Sequence, residues 1–170
     1  MKNIYLIGFM GTGKTTIGKI IAQKCGLRFI ETDALIEERE RCSIAQIFKE
    51  KGEDFFRGLE IKLVKEIALT SDRVVSCGGG LICNQTNLTL LASSGVLICL
   101  TASIETIYER TKHYQHRPLL NVENPHQVIQ ELLVQRKRFY AQAHYTVNTD
   151  RISPEAVACE VIRITAAQHT

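Results

Sequence analysis

The stretch Gly8-Phe9-Met10-Gly11-Thr12-Gly13-Lys14-Thr15 fits the pattern G-x-x-x-x-G-K-[ST] and stands between a short apolar run and an amphipathic segment. In that context the pattern binds phosphate: glycines let several backbone N–H groups face one anion, and the following helix adds its positive dipole end. Lys14 supplies charge for the β- and γ-phosphates, and the Thr15 hydroxyl is a natural Mg²⁺ ligand. The stretch therefore predicts a site for ATP and Mg²⁺. Thr15 is expected to bind the metal, and the nucleotide is expected to contact Gly11, Thr12, Gly13, Lys14, Thr15 and Thr16.

Short apolar, β-branched runs alternate with amphipathic segments along the chain. Runs without polar alternation are typical of strands buried on both faces of a parallel sheet. Strand–helix alternation predicts βαβ units, an α/β protein with helices on both sides of the sheet. The predicted strands are Ile4–Ile7, Arg28–Glu31, Val74–Cys77, Val96–Leu100 and Tyr145–Thr149.

Capping residues, glycines and prolines mark the helix boundaries between these strands. The pattern predicts a helix over Thr15–Lys24, one that Ser43 caps and Gly52 ends, one over about Asp54–Leu69, and starts at Asn124-Pro125 and Ser153-Pro154.

The 170 residues predict one domain, and 45% apolar with 23% charged residues is ordinary for a globular protein. The net charge of +3 is too small to indicate nucleic-acid binding. The chain contains no run of about 20 apolar residues, so no membrane span is predicted. We expect a cytoplasmic protein without a secretory signal, whose cysteines are mostly buried thiols. These cysteines are Cys25, Cys42, Cys77, Cys83, Cys99 and Cys159.

Two other classes of nucleotide-binding protein fit this chain poorly. No Asn-Lys-x-Asp segment is present, although a GTPase needs one to read guanine. No apolar strand ends in the plain aspartate of an ATPase metal site, because Val74-Val75-Ser76-Cys77 runs into Gly78-Gly79-Gly80. The triglycine instead predicts backbone placed against a ligand.

Ligands of open parallel sheets bind outside the carboxyl ends of the strands. Chemically interesting residues do follow the predicted strands here. The phosphate loop follows the first strand, Glu31 and Asp33 close the second, and Gly78–Gly80 follow the third.

Six further segments, in this order and spacing, resemble shikimate kinase over essentially the whole chain. They are Ile30-Glu31-Thr32-Asp33, Ser43-Ile44-Ala45-Gln46-Ile47-Phe48, Phe56-Arg57-Gly58-Leu59-Glu60, Cys77-Gly78-Gly79-Gly80, Arg117-Pro118-Leu119-Leu120, and Arg136 four residues before Tyr140. The resemblance implies a P-loop NTPase fold: a three-layer α/β/α sandwich around a five-stranded parallel sheet of order 2-3-1-4-5. It also implies a single kinase domain over residues 1–170, with a substrate-binding region at 31–60 and a lid at 112–124.

The resemblance assigns a role to each matching residue. Arg57 and Arg136 correspond to the pair that clamps the shikimate carboxylate, Asp33 to the carboxylate on the reacting hydroxyl, and Arg117 to the lid arginine on the transferred phosphate. Glu60 shares a helix face with Arg57 and is expected to hold it. The implied catalytic residues are Asp33, Lys14 and Arg117, the implied further nucleotide ligands are Arg110 and Arg117, and the implied substrate ligands are Asp33, Arg57, Gly78, Gly79, Gly80 and Arg136.

Plainer interpretations of these residues stay open at this point. Asp33 before Ala34-Leu35-Ile36 is also a typical helix cap, and Arg57, Arg110, Arg117 and Arg136 are also typical surface charges. The chain departs from the family at Glu31, where aspartate is usual near Mg²⁺. It departs again at Ile152, where some members carry a cation beside adenine that Arg151 or Arg110 would have to replace.

The sequence thus predicts ATP-dependent phosphorylation of the 3-hydroxyl of shikimate, a step towards chorismate and the aromatic amino acids. We expect a monomer with a small-molecule substrate and neither a nucleic-acid nor a membrane partner. Two alternatives remain: a kinase for another acceptor such as gluconate or a nucleoside monophosphate, and a non-catalytic nucleotide-binding module.

Overall fold

A computed structural model of the protein describes residues 2–112 and 124–167. The strands are β1 (Asn3–Gly8), β2 (Arg28–Glu31), β3 (Arg73–Ser76), β4 (Gly95–Thr101) and β5 (Tyr145–Asn148). The helices are α1 (Lys14–Cys25), α2 (Thr32–Glu40), α3 (Ile44–Ala68), α4 (Gln85–Ser94), α5 (Ile104–Thr111), α6 (Pro125–Tyr140) and α7 (Pro154–Ala166), and a short 3₁₀ helix spans Leu81–Cys83.

All strands of the described residues join one five-stranded parallel sheet of order β2-β3-β1-β4-β5. The central strand β1 places Tyr5 opposite Val75 on one side and Leu97 on the other. Every residue of β1 is buried, which explains why its sequence shows no polar alternation. The predicted α/β class and strand order are confirmed.

Alternate residues of β1 face opposite sides of the sheet and enter separate hydrophobic clusters. Tyr5 and Ile7 pack with apolar residues of α3 and α4, whereas Ile4 and Leu6 pack with those of α1 and α7. The sheet is therefore the middle of three layers. Within the described ranges, no helix is long and apolar enough to cross a membrane.

The helix boundaries follow the predicted caps and the predicted break at Gly52. The side chains of Ser43, Asn124 and Ser153 each accept a hydrogen bond from a backbone N–H of the first turn, as capping requires. As predicted, the first helical run ends at Gly52, which takes the non-helical φ 81° and ψ 172°, and a second run continues to Ala68, so α3 consists of two helices joined at a kink. Glycine tolerates this conformation, which lets the chain change direction between the two runs.

Buried Asn3 holds the amino-terminal edge of the sheet together. Its side-chain amide donates to the carbonyls of Ile67 (3.2 Å) and Thr70 (2.8 Å), and its oxygen accepts from the Arg73 N–H (3.1 Å). One side chain thus satisfies the backbone at the end of α3 and the start of β3. The opposite edge, at the carboxyl ends of the strands, is left for the chemically interesting residues.

Candidate active site

The phosphate loop connects β1 to α1 through backbone that only glycine adopts easily. A Cβ on Gly8 would lie 2.2 Å from the Leu100 carbonyl oxygen, and Gly13, just before α1, has φ 92°. The Lys14 ammonium donates to the carbonyl oxygens of Gly8 (2.8 Å) and Phe9 (3.0 Å). The cation is therefore held over the loop at the positive end of α1, where an anion binds favourably.

Thr15 and Glu31 meet beside this loop. The Thr15 hydroxyl donates a hydrogen bond to the Glu31 carboxylate, so the extra methylene of glutamate does not keep its carboxylate from the loop. Two oxygen donors from β2 and α1 suit Mg²⁺, which prefers a few carboxylate or hydroxyl ligands completed by phosphate and water. Among the described residues no group of three or more His, Cys, Asp or Glu is arranged to hold a metal. The pair therefore fits a phosphate-bound Mg²⁺ better than a dedicated metal centre.

Asp33 lies in the first turn of α2, one residue after the helix begins at Thr32. Glu31 occupies the cap position, so the interpretation of Asp33 as a helix cap is wrong. Burial raises the pKa of the Asp33 carboxyl, the positive charge of Lys14 opposes that shift, and Glu31 and Glu37 add to it. A carboxylate that is costly to ionise and faces a cation is a typical group for accepting a proton or a hydroxyl hydrogen bond.

The triglycine after β3 lies against three charged side chains, one for each glycine. A Cβ on Gly78 would lie 2.0 Å from the Asp33 carboxylate, one on Gly80 2.5 Å from the Arg57 guanidinium, and one on Gly79 3.1 Å from the Arg136 guanidinium. The Gly78 N–H also donates to the Thr32 hydroxyl (2.8 Å), which fixes the loop to α2. The missing Cβ atoms therefore give one carboxylate and two guanidiniums room to gather around the same backbone.

Arg57 is held by carboxylates of its own helix. It donates to Glu60 at 2.7 Å and to Glu53 at 2.9 and 3.1 Å. Glu60 is only 2% exposed, and burial raises the pKa of its carboxyl while the Arg57 guanidinium lowers it. The expected support of Arg57 by Glu60 is thus present, and the planar arginine fork keeps a fixed orientation.

A cavity of about 310 Å³ adjoins the phosphate loop on the side of β5 and α7. Its lining comprises Thr12, Gly13, Thr16, Ile17, Arg110, Thr149, Ile152, Pro154 and Val157. The Arg110 guanidinium donates to the Gly11 carbonyl (3.1 Å) and to the Thr149 hydroxyl and carbonyl (3.0 and 2.8 Å). Arg110 therefore bridges the phosphate loop and the segment after β5, and Arg151 does not line the cavity as a replacement for the cation missing at Ile152.

A larger groove of about 470 Å³ lies between β2, α2 and α3. Its Arg39 is already paired with Glu66 at 2.7 Å, and of the predicted site residues only Glu31 borders it. The other predicted site residues of β1, β2 and β3 gather instead at the carboxyl ends of these strands.

The predicted lid falls almost wholly outside the described residues, which omit 113–123. The expectation for Arg117 therefore stays a prediction.

The expectation that the cysteines are mostly buried is wrong. Only Cys77 and Cys99 are buried, while Cys83 and Cys159 are exposed and Cys25 and Cys42 are half-buried. Burial raises the pKa of Cys77 to about 12 and that of Cys99 to about 11. These two thiols stay protonated at neutral pH and are poor nucleophiles or metal ligands.

Comparison with known proteins identifies the family of this chain. The family model described as shikimate kinase matches residues 10–166. The shikimate kinase of Thermodesulfovibrio yellowstonii is 43% identical over 163 residues, which cover 96% of this chain and 94% of that protein. The solved structure of the Acinetobacter baumannii shikimate kinase in complex with shikimate is 34% identical with a TM-score of 0.92, covering 99% of this chain and 94% of that one. A gluconokinase from Sinorhizobium meliloti, 18% identical over 99% of this chain and 95% of its own, has a TM-score of 0.60 and shares the fold alone.

The crowding at the triglycine predicts that Gly78→Ala strongly impairs the site. The new methyl group displaces the Asp33 carboxylate, and because a displacement of about 1 Å costs on the order of 100-fold in rate, we expect kcat to fall by about that factor. Gly58→Ala in α3 is the matched control, since nothing lies within 4 Å of its Cβ. It should keep full activity and gain about 0.5–1 kcal/mol of stability. Equal kcat for the two variants would contradict this account of the triglycine; steady-state kinetics and thermal unfolding measure both effects.

Proposed function

We propose that this chain, which belongs to the shikimate kinase family, transfers the γ-phosphoryl group of ATP to the 3-hydroxyl of shikimate. The enzyme is a kinase, and its reaction is the ATP-dependent phosphorylation of shikimate. The choice of hydroxyl and the residue roles below are proposals. The observation that carries them is the gathering of Asp33, Arg57 and Arg136 around Gly78–Gly80, next to the phosphate loop.

Arg57 and Arg136 bind the shikimate carboxylate in this proposal. Planar guanidiniums match a carboxylate with paired hydrogen bonds, which fixes orientation as well as affinity. Both lie against the triglycine, so Gly78, Gly79 and Gly80 border the same substrate. The ring is then held by its carboxylate while a hydroxyl is presented to Asp33.

Asp33 orients the reacting hydroxyl and accepts its proton as phosphoryl transfer proceeds. Lys14 stabilises the negative charge that develops on the transferred group, and the closeness of Lys14 to Asp33 is supported by its effect on the pKa of that carboxyl. Arg117 is proposed to assist from the lid. Catalysis in this scheme is mainly positioning and electrostatic stabilisation.

ATP binds with its phosphates on Gly11, Thr12, Gly13, Lys14 and Thr15 and its base towards Thr16 and Arg110. The cavity of about 310 Å³ beside the loop supports the placement of the base. Thr15 and Glu31 would hold Mg²⁺, because their oxygen atoms already meet beside the loop. The metal would offset the negative charge of the phosphates during transfer.

We further propose that the protein acts as a cytoplasmic monomer with neither nucleic acid nor membrane as a partner. The modest net charge of +3 supports the absence of a nucleic-acid partner.

The substrate is tested with a panel of acceptors. With ATP and Mg²⁺ present, we expect ADP formation to depend on shikimate, and gluconate and nucleoside monophosphates to give only the rate of ATP alone. Coupled ADP detection with phosphorus NMR of the product measures both the rate and the phosphorylated position. Gluconate-dependent turnover would favour the alternative kinase, and no acceptor-dependent turnover would favour the non-catalytic module.

The Asp33→Asn variant should lose turnover and keep substrate binding. Since a positioned general base contributes about 100- to 10,000-fold, we expect kcat to fall within that range while the shikimate KM changes little. Burial raises the pKa of Asp33, so wild-type kcat/KM should fall with decreasing pH above the ordinary aspartate range.

The sign of the stability change provides an independent check on Asp33. Because the pKa of Asp33 is raised in the folded state, ionising this carboxyl destabilises the fold as the pH rises through that pKa. Asparagine cannot ionise, so the Tm of Asp33→Asn at neutral pH should be unchanged or higher than that of the wild type. A variant that kept wild-type kcat would exclude Asp33 from the chemistry.

Arg57→Ala should mainly weaken shikimate binding. Hydrogen bonds to charged groups contribute about 1.5–3 kcal/mol, so we expect the shikimate KM to rise about 10- to 100-fold with the ATP KM unchanged. The variant also leaves buried Glu60 without its partner, so its Tm should fall. Arg163→Ala is the control, because it removes an exposed arginine that is paired with Glu160 at the same i,i+3 spacing. It should change neither the shikimate KM nor the Tm. An unchanged shikimate KM in Arg57→Ala would rule out this residue as a carboxylate ligand.

A further inference from the structure

The two arginines proposed to bind the carboxylate are supported in different ways. Arg57 is paired with Glu60 and Glu53, whereas no carboxylate in residues 2–112 and 124–167 forms an ion pair with Arg136. Arg136 is half-buried on α6 and lies against Gly79. Among the described residues, two aromatic side chains lie beside its guanidinium instead.

The aromatic ring of Phe9 lies next to this guanidinium. The Arg136 Cζ is 5.6 Å from the centre of the Phe9 ring, within the range of a cation–π interaction. The face of an aromatic ring is negative, so it attracts and orients the planar guanidinium without neutralising its charge.

Phe9 is fixed at both its backbone and its side chain. Its ring is 1% exposed and packs with the buried side chains of Ile107 on α5 and Ile129 on α6. Its carbonyl oxygen accepts hydrogen bonds from the Lys14 ammonium (3.0 Å) and the Thr12 hydroxyl (2.8 Å). The ring is thus a rigid surface built into the phosphate loop.

Tyr140 is another side chain close to Arg136, one turn further along α6. Burial raises the pKa of its phenol to about 12, although the charge of Arg136 and the contact of its guanidinium with the phenol oppose the shift. The phenol is therefore neutral at physiological pH and supplies no counter-charge. Of these two aromatic neighbours, Phe9 is the one whose ring lies at cation–π distance from the guanidinium.

We propose that Phe9 is a positioning residue that holds Arg136 against Gly79 for the substrate carboxylate. The inference rests on the proposed function, because it assumes that Arg136 binds that carboxylate. Since the ring orients the guanidinium without neutralising it, Arg136 keeps its charge for the incoming anion, whereas Arg57 shares its charge with Glu60 and Glu53. Phe9 therefore links the nucleotide loop to recognition of a carboxylate-bearing acceptor.

The test replaces the ring by an aliphatic side chain that keeps the packing. Phe9→Leu should raise both the shikimate KM and the shikimate Kd, measured by calorimetry without nucleotide, by about 3- to 10-fold, the range of a partly desolvated cation–π contact. The ATP KM should not change. Phe139→Leu is the matched control, because it also removes a buried aromatic ring beside an arginine. Phe139 lies on α6, the helix of Arg136, and its ring centre is 4.7 Å from the Cζ of exposed Arg138, which has no proposed role. It should leave the shikimate KM and Kd at the wild-type values.

A double-variant cycle separates positioning from general damage. In an Arg136→Gln background, Phe9→Leu should cause no further loss of shikimate affinity, because the guanidinium it acts through is gone. Equal effects of Phe9→Leu and Phe139→Leu, a persistent effect in the Arg136→Gln background, or a matching rise in the ATP KM would overturn the proposal. Phe9→Met fills the same apolar space and gives the same comparison if Phe9→Leu does not fold. Wild-type enzyme that fails to phosphorylate shikimate would instead contradict the proposed function.

Discussion

The site depends on one steric constraint: charged side chains approach the backbone of residues 78–80 closely, and most closely at Gly78. Asp33, Arg136 and Arg57 each approach one of the three glycines, at distances from the ideal Cβ positions of 2.0, 3.1 and 2.5 Å. A carboxylate and two guanidiniums from three different helices therefore share one short stretch of backbone. Any side chain there would push charged groups apart and change the pocket that they form.

The parallel sheet makes this close approach possible. β1 and β2 flank β3, so the phosphate loop, the start of α2 and the triglycine emerge at the same edge. At the other edge, Asn3 satisfies the backbone of α3 and β3, which keeps that end closed. The enzyme thus separates an edge that stabilises the sheet from an edge that gathers charge.

The two arginines beside the triglycine differ in how far neighbouring carboxylates compensate their charge. Burial opposes ionisation of Asp33 and Glu60, while Lys14 and Arg57 oppose that effect. Arg57 is largely compensated by carboxylates before any substrate arrives. Arg136 lies against an aromatic ring instead, so in the proposed binding mode an incoming carboxylate meets one pre-paired arginine and one without an ion-pair partner among the described residues.

The amino-acid sequence was sufficient to predict the sheet, the phosphate loop and the family. Short apolar runs without polar alternation indicate strands buried on both faces, and the capping roles of Ser43, Asn124 and Ser153 depend only on neighbouring residues. Local patterns mislead where packing decides: free cysteine is typically a buried residue, yet most of the cysteines here escape full burial. The folded chain was needed to show which glycine faces which charged side chain, that Glu31 reaches Thr15, and that Phe9 lies beside Arg136. Those contacts join residues that are distant in the chain. The phosphate-loop motif accepts any residue at the position of Phe9, so the motif does not predict that Phe9 contacts Arg136.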